Sequence, residues 1–239
     1  MERYDDAVTL LNDMIEKGIE LGSEGRNLLS AAYKSALNVR RYAWRVLAAC
    51  EAKPHATEKE KRMAREYRKT VDTEYRNTCN TLIRMLDELL IPKATEPETK
   101  VYLLKMKADY YRYLAEITID NSKARTLHMA AISILAFAEK SMSAYNEAME
   151  IANDNIPATH PLRMGLALNY AVYYYEIVKD VKKACTVAEQ AYSDARPELL
   201  HGAEENKEKR DSLLILQLLQ ENLTKWMAVG GLELNTGKN

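Results

Sequence analysis

Apolar residues recur every three to four positions along most of this chain, which is the spacing of one face of an α-helix. Proline, glycine and short polar runs interrupt that spacing between the apolar segments. The pattern predicts eight helices, at about residues 4–17, 23–53, 57–90, 98–118, 124–154, 161–180, 183–196 and 210–228. Because the intervening connections are mostly short, consecutive helices should pack antiparallel.

Local signals set several of the predicted helix ends. Thr57 and Glu60 have the spacing of a capping box, and Pro161 suits the first position of a helix. Ser23 is predicted to cap the second helix. The polar run at 120–123 should form a turn, and Pro197 should end the seventh helix.

The composition is typical of an all-α protein. Helix-forming residues dominate, whereas the 239 residues include only 8 glycines and 6 prolines. A chain of this length can bury a substantial core, so we expect a single helical domain at 1–228 and a short mobile tail at 229–239. The apolar block at 129–138 is too short to span a bilayer.

Charge and cysteine content narrow the classes of partner and compartment. The 34 basic and 35 acidic residues nearly cancel, which argues against a general nucleic-acid or membrane-surface binder. Cys50, Cys79 and Cys185 are isolated and odd in number, as is typical of free thiols in a reducing compartment. No secretory leader is visible, and we expect a cytoplasmic protein.

A basic and phenolic pair provides the first candidate binding chemistry. Arg112 and Tyr113 lie in mid-helix among apolar and aromatic residues, and a guanidinium beside a phenol can hold a dianion such as phosphate. Lys34 and Arg41 share one helix face, and together with Arg112 they would complete a pocket of three cations. These cations would repel one another in the empty pocket, and a bound phosphate would relieve the repulsion. Taken separately, each pair is also explained by an ordinary structural or solvated helix face.

Two later helices carry polar groups on otherwise apolar faces. In the sixth, Asn169, Val172 and Glu176 share a face that Gly165 and Leu168 adjoin. An amide and a carboxylate among apolar neighbours can hydrogen-bond an extended peptide backbone. The last helix offers a second set at helical spacing: Leu214, Ile215, Leu218, Asn222 and Trp226. Core packing alone explains its aliphatic members, but not its amide and indole donors.

Longer stretches of the sequence are similar to a known family. Two segments, Arg26–Lys34 and Asp211–Trp226, carry the strongest resemblance. Between them lie four further matching segments: 40–45, 63–68, 105–116 and 159–169. Occurring in this order over nearly the whole chain, these segments resemble the 14-3-3 family.

The resemblance implies an antiparallel helical cup, of nine helices in the family, whose concave amphipathic groove binds phosphoserine or phosphothreonine peptides. It implies an adaptor that binds and regulates phosphorylated client proteins. By motif position, the phosphate would be held by Lys34, Arg41, Arg112 and Tyr113. The peptide backbone would be held by Asn169 and Asn222, assisted by Glu176 and Trp226. The apolar wall would consist of Leu168, Val172, Leu214, Ile215 and Leu218, beside Gly165.

The sequence departs from the family at its start. It begins where the family's first helix, which supplies much of the dimer interface, should already have ended. Arg3 and Glu74 resemble an inter-subunit ion pair, and Tyr67 belongs to the same predicted interface. Thr70 replaces the lysine expected opposite Asp6. We therefore expect a monomer or a weakened dimer, with a truncated gene model as the competing explanation.

Two further departures concern the helix hairpin and the ligand. Extra residues between Glu116 and Tyr145 include the apolar block with Phe137, which either packs on its own hairpin or forms an association surface. Lys225 replaces a leucine that is usual on the groove wall. It either favours acidic ligand residues or points to solvent.

An enzyme is the first rival interpretation, and little in the sequence favours it. The four histidines are scattered, Glu198 and His201 form a lone Glu-x-x-His pair, and no glycine-rich phosphate loop is present. We expect no catalysis, no cofactor and no metal. The second rival is a helical scaffold for unphosphorylated partners that has lost phosphate recognition or dimerisation. Retention of the four predicted phosphate residues argues against it.

Overall fold

The computed structural model describes residues 3–122, 127–201 and 206–230, and this part of the chain contains α-helices and no β-strand. The helices are α1 (Tyr4–Glu16), α2 (Ser23–Glu51), α3 (Glu58–Met85), α4 (Pro97–Ser122), α5 (Leu127–Asn155), α6 (Pro161–Tyr173), α7 (Val181–His201) and α8 (Lys207–Gly230). Short π-helical turns follow α3 and α6, at Leu86–Leu90 and Tyr174–Val178, and a 3₁₀ turn spans Ile91–Lys93. The predicted all-α class is confirmed.

Residues up to Lys93 form one compact unit, built from α1, α2 and α3. Its buried side chains include Leu29, Tyr33 and Leu82. The Tyr33 hydroxyl donates a hydrogen bond to Asn12 Oδ1 at 2.7 Å, which ties α2 to α1 and satisfies a phenol that burial would otherwise penalise. Burial raises the pKa of Tyr33 to about 12, so this hydroxyl remains a donor at neutral pH.

Residues from Ala94 onward form a second compact unit, in which α6 contacts α4, α5, α7 and α8. A cluster of four tyrosines joins α5 to α6 and its π-helical turn. The ring of Tyr145 stacks on that of Tyr170 with centroids 5.0 Å apart, and Tyr170 is 4.7 Å from Tyr174. Tyr173, 5.7 Å from Tyr145, completes the cluster. Such contacts add to the free energy gained by burying the rings.

Two predicted helix starts are confirmed, and one differs by a residue. Thr57 and Glu60 form the capping box that opens α3, and Pro161 is the first residue of α6. Ser23, predicted as a cap, is instead the first helical residue of α2, and Gly22 holds the cap position. The cap side chain is therefore absent, and α2 depends on packing of its buried face.

Two predicted helix ends are wrong. Residues 120–122 continue α4 instead of forming a turn, and residue 123, the last of the predicted turn, lies outside the described residues. Pro197 lies inside α7, which continues to His201. The proline removes the hydrogen bond to the Ser193 carbonyl, but both residues are exposed, so water can solvate that carbonyl. The buried Ala195 and Leu199 hold this turn against the unit.

The apolar block of α5 is only partly covered. Ile132 and Leu135 are 55% and 60% exposed, whereas Phe137 is half-buried. The side chain of Met129, the first residue of the block, lies outside the described set. Of the predicted tail at 229–239, residues 229 and 230 instead belong to α8, which ends at Gly230, and residues 231–239 lie outside the described ranges. No helix in the described ranges has the length and apolarity needed to cross a bilayer.

Replacing Pro197 with Ala should stabilise the protein, because it restores a backbone donor in an exposed turn of α7. A helix-interior proline costs up to about 3 kcal/mol, so we expect Tm to rise by roughly 2–6 °C in differential scanning calorimetry. Pro157→Ala, in the connection before α6, is the matched control and should not raise Tm. An unchanged or lower Tm for Pro197→Ala would contradict this account of the turn.

Candidate functional site

Helix α4 is buried on nearly every side and carries a charged cluster in its middle. Lys105, Asp109 and Arg112 follow one another at steps of four and three residues, so their side chains lie on one helix face. Asp109 and Arg112 are 7% exposed, which is unusual for charged residues unless they are paired. Neighbouring helices cover much of this face and supply its polar partners.

Asp109 is the centre of the cluster. Its Oδ2 accepts a hydrogen bond from Lys105 Nζ at 2.9 Å, and its Oδ1 accepts one from Arg112 Nη2 at 3.1 Å. The Tyr145 hydroxyl of α5 donates to Oδ1, and Asn169 Nδ2 of α6 lies 2.9 Å from both oxygens. The carboxylate is therefore fully partnered, as a buried charge must be to be tolerated.

The pKa values of this cluster agree with its geometry. Burial by itself would raise the pKa of Asp109, but Lys105, Arg112 and the Tyr145 hydroxyl outweigh it and lower that pKa to about 2. Burial and the nearby Asp109 raise the pKa of Tyr145 well above its ordinary value. At neutral pH Asp109 is therefore ionised and Tyr145 is protonated, so the phenol donates to the carboxylate.

Arg112 is held on three sides and keeps one nitrogen for other use. Nε donates to the Tyr145 hydroxyl at 3.2 Å, Nη2 donates to Asp109, and the guanidinium lies 4.7 Å from the ring centroid of Tyr113. Nη1 has no hydrogen-bond partner among the described residues, and it is not one of their fully buried unpaired atoms. A fixed, solvent-accessible N–H of a permanently charged group is well suited to an anion.

The predicted phosphate pair thus differs from expectation in one respect. We expected Arg112 to contribute an uncompensated charge, but Asp109 of the same helix is its ion-pair partner. Two cations and one carboxylate leave the Lys105, Asp109 and Arg112 cluster with a net charge of +1. The guanidinium of Arg112 also lies over the ring of Tyr113, and this cation–π contact helps to fix the arginine's orientation.

Helix α6 brings two of the predicted peptide-binding residues, Gly165 and Asn169, to this cluster. Asn169 uses its amide nitrogen on Asp109, which leaves its carbonyl oxygen for another donor. Gly165 lies where α4, α6 and α8 approach one another: a Cβ there would be 3.8 Å from Ile215 Cδ1 and 4.0 Å from Lys105 Cε. A larger residue than glycine would have to occupy space between these side chains.

The remaining predicted peptide residues are spread along the same two helices and the π-helical turn. Trp226 is buried, and its ring stacks on Tyr175 at 5.0 Å. Its indole nitrogen makes no hydrogen bond within the described ranges, and neither does the half-buried Asn222. The aliphatic members and Glu176 are half-buried or exposed, with Leu214 62% and Leu218 47% exposed; the half-buried ones are Leu168, Val172 and Ile215.

The other two predicted phosphate residues belong to the first unit. Lys34 is exposed and Arg41 is half-buried, and both lie on one face of α2 together with Ser30. The buried face of the same helix carries Leu29, Tyr33 and Leu37. The predicted polar stripe on α2 is therefore present, next to that helix's core face.

The predicted dimer residues make contacts within the chain. Arg3 pairs with Asp6, and Glu74 lies 3.4 Å from Arg40. Tyr67 is 61% exposed. The Arg3–Asp6 pair is solvent-exposed and contributes little stability, whereas Arg40 in the second pair is largely buried. Contacts within one chain leave the oligomeric state a matter of prediction.

Sequence reasoning missed Lys105, Asp109 and Tyr145 as members of the site. The spacing of the first two relative to Arg112 was a usable signal, because an acid three residues before a buried arginine is placed to pair with it. Tyr145 offered no such signal, since it comes from another helix. No group of three or more potential metal ligands occurs in the portion of the chain that the structure describes.

Comparison with known proteins gives consistent matches over nearly the whole chain. The family model described as "14-3-3 protein" matches residues 1–227. The chain is 45% identical over 232 residues to 14-3-3-like protein 1 of Caenorhabditis elegans, covering 97% of this chain and 88% of that protein. It is 46% identical over 225 residues to 14-3-3 protein zeta of Bombyx mori, a match that covers 94% of this chain and 86% of that protein. It is 45% identical over 225 residues to 14-3-3 protein beta/alpha-A of Xenopus laevis, a match that covers 94% of this chain and 87% of that protein.

The Asp109→Asn variant should lose stability in a pH-dependent way. The pKa of Asp109 is lower in the folded protein than the roughly 3.9 of an unfolded chain, so its ionisation stabilises the fold above about pH 4. That contribution, on the order of 2 kcal/mol, is lost as the pH falls toward 2. In urea titrations the deficit of the variant should therefore be large at pH 6 and smaller at pH 3.

Glu58→Gln is the control for this experiment. Glu58 forms an exposed pair with Lys61, which should contribute less than about 1 kcal/mol. A deficit of Asp109→Asn that is equal at pH 6 and pH 3 would show that the depressed pKa of Asp109 does not stabilise the fold.

Proposed function

Because the chain belongs to the 14-3-3 family, whose members are adaptor proteins and not enzymes, we propose that it binds partner proteins through segments that carry phosphoserine or phosphothreonine. The phosphate is bound by Lys34, Arg41, Arg112 and Tyr113. The protein performs no reaction on its ligand. It holds a phosphorylated, previously flexible segment and thereby masks or reshapes the partner.

The observation that carries this proposal is the unpaired Nη1 of Arg112. The guanidinium is buried, oriented by Asp109, Tyr145 and Tyr113, and still has one open donor. Little side-chain entropy remains to be lost when an anion binds there, since the arginine is already fixed. A dianionic phosphate also matches the net positive charge of the cluster better than a neutral serine hydroxyl does.

The peptide chain on either side of the phosphate needs its own partners. Hydrogen-bonding groups for its backbone come from the Asn169 carbonyl, the Asn222 amide and the Trp226 indole nitrogen. Glu176, whose side chain is exposed, adds a further acceptor. The exposed Leu214 and Leu218 provide apolar surface for its side chains. Leu168, Val172 and Ile215 extend that surface.

We also propose a cytoplasmic location. Cys50, Cys79 and Cys185 are all free thiols, which is the state expected in a reducing compartment. Burial raises the pKa of Cys79 above its ordinary range, so this thiol is poorly reactive and suits a packing role. Neither cofactor nor metal takes part in the proposed function.

Fluorescence anisotropy on one labelled peptide, with and without its phosphate, tests the proposal. Charge-assisted hydrogen bonds contribute about 1.5–3 kcal/mol each, so the phosphorylated form should bind at least about a hundredfold more tightly. Lys34→Gln and Arg41→Gln should each weaken phosphopeptide binding about tenfold or more. Both are surface changes on α2 and should leave the circular dichroism spectrum intact.

Arg112 needs a paired variant, because removing it alone leaves Asp109 buried without its main cation. Arg112→Gln combined with Asp109→Asn removes both charges and should keep the fold while losing most phosphopeptide affinity. Arg84→Gln, which removes an exposed cation paired with Glu16, should bind like wild type. Equal affinities for the two peptide forms would instead favour a scaffold for unphosphorylated partners.

A further inference from the structure

The second unit contains a pocket that none of the proposed peptide-binding residues lines. It has about 400 Å³ of open volume and lies among α5, α6 and α7. Each helix contributes residues at helical spacing: Met149 and Asn153 from α5, Arg163 to Tyr170 from α6, and Val187 and Ala191 from α7. The volume is within the roughly 300–1,000 Å³ of small-molecule sites.

Helix α6 separates this pocket from the proposed peptide face. Its pocket residues, Met164, Ala167 and Tyr170, lie on one side of the helix. Gly165, Asn169 and Val172 fall on the opposite side. The pocket is therefore a distinct site and not an extension of the peptide-binding surface.

The pocket has an apolar interior and a polar edge. Met164, Ala167 and Tyr170 are buried and form its floor, whereas Asn153, Thr186, Gln190 and Asp194 are exposed and form its rim. Met149, Val187 and Ala191 are half-buried between the two. Two methionines give the interior flexible, polarisable surface, which adapts to ligands of different shape.

Arg163 is the half-buried charge of this pocket. Its Nη1 donates to the backbone carbonyls of Ile156 at 2.7 Å and Asn153 at 3.4 Å, which anchors the guanidinium at the end of α5. Across the described residues, no carboxylate forms an ion pair with it. The charge is thus fixed in place by neutral acceptors, and its remaining N–H groups can receive an anion.

Asp194 is the other charged residue of the lining. It is exposed, and its Oδ1 accepts a hydrogen bond from Gln190 at 2.7 Å. Exposed charges are screened by water and salt, so its repulsion of an anion is weaker than the attraction of a half-buried, anchored arginine. The balance of charge favours an anionic ligand group.

We propose that this pocket binds a small apolar molecule carrying one carboxylate, with the carboxylate on Arg163 and the apolar body against Met149 and Met164. A chain or ring of about ten heavy atoms fits the volume. This inference does not depend on phosphopeptide binding.

Octanoate is a suitable probe, and the methionine methyl groups are the reporters. In a protein labelled with ¹³C at the methionine methyls, octanoate should shift the signals of Met149 and Met164 saturably. The signals of Met14 and Met85, which do not line the pocket, should stay in place. Octan-1-ol, of equal length but neutral, should bind about tenfold more weakly. Octylammonium should bind more weakly still.

Variants separate the two parts of the site. Ala191→Phe or Val187→Phe fills the pocket from α7 and should abolish the shifts. Arg163→Gln should remove the preference for octanoate over octan-1-ol, and Asp194→Asn should strengthen octanoate binding. Lys182→Gln, an exposed cation of α7 outside the lining, should leave both affinities unchanged.

Several results would overturn the proposal. Shifts spread over all methionines, or none up to the solubility limit, would show that the pocket takes no such ligand. Equal or tighter binding of octan-1-ol or octylammonium would show that Arg163 does not select a carboxylate. Because Arg163 also holds the end of α5 through the Ile156 carbonyl, the Tm of Arg163→Gln is measured alongside its affinity. Asp194→Asn tests the same dependence on charge at a residue that does not hold the end of α5.

Discussion

The ion pair between Asp109 and Arg112 is the interaction on which the second unit's proposed binding surface depends. Both side chains are buried, and a buried charge is tolerated only when its hydrogen-bonding capacity is met. Asp109 meets this requirement by drawing on three helices: its own α4, α5 through Tyr145, and α6 through Asn169. One carboxylate thereby fixes the positions of an arginine, a lysine, a phenol and an amide.

This arrangement suits an adaptor, which gains affinity only from groups that are already in place. A flexible surface arginine loses conformational entropy when it binds a ligand, whereas Arg112 is already held by its three neighbours. One of these neighbours, the carboxylate of Asp109, also reduces the net charge of the Lys105, Asp109 and Arg112 cluster to +1. The proposed recognition of phosphate therefore rests on a correctly placed donor more than on a strong field, which favours selectivity over general attraction to anions.

Helix α6 has a double role because it is packed on both sides. One side presents Asn169 and half-buried aliphatic residues toward α4 and α8, and the other forms the floor of the pocket with α5 and α7. The helix also carries small buried residues, such as Ala167 on the pocket side and Ala171 one turn further on. Small side chains let neighbouring helices approach closely, which is how one short helix can contribute to two separate surfaces.

Much of this protein could be determined from its sequence. The period of apolar residues fixes the helices and the all-α class, since burial of an amphipathic face is what stabilises a helix. Thr57 and Pro161 mark their helix starts correctly, because caps and first-turn prolines act through bonds between near neighbours in the chain. Family membership, too, is readable from ordered motifs.

The tertiary structure decided what depends on distant neighbours. Pro197 stands inside α7 because solvent reaches the carbonyl that it leaves unpaired, and solvent exposure is a property of the fold. Tyr145 lies 33 residues from Arg112 in the chain, so only packing could bring its hydroxyl to that guanidinium. The pocket beside Arg163 has no motif at all. It is a gap between three helices, and no local pattern encodes a gap.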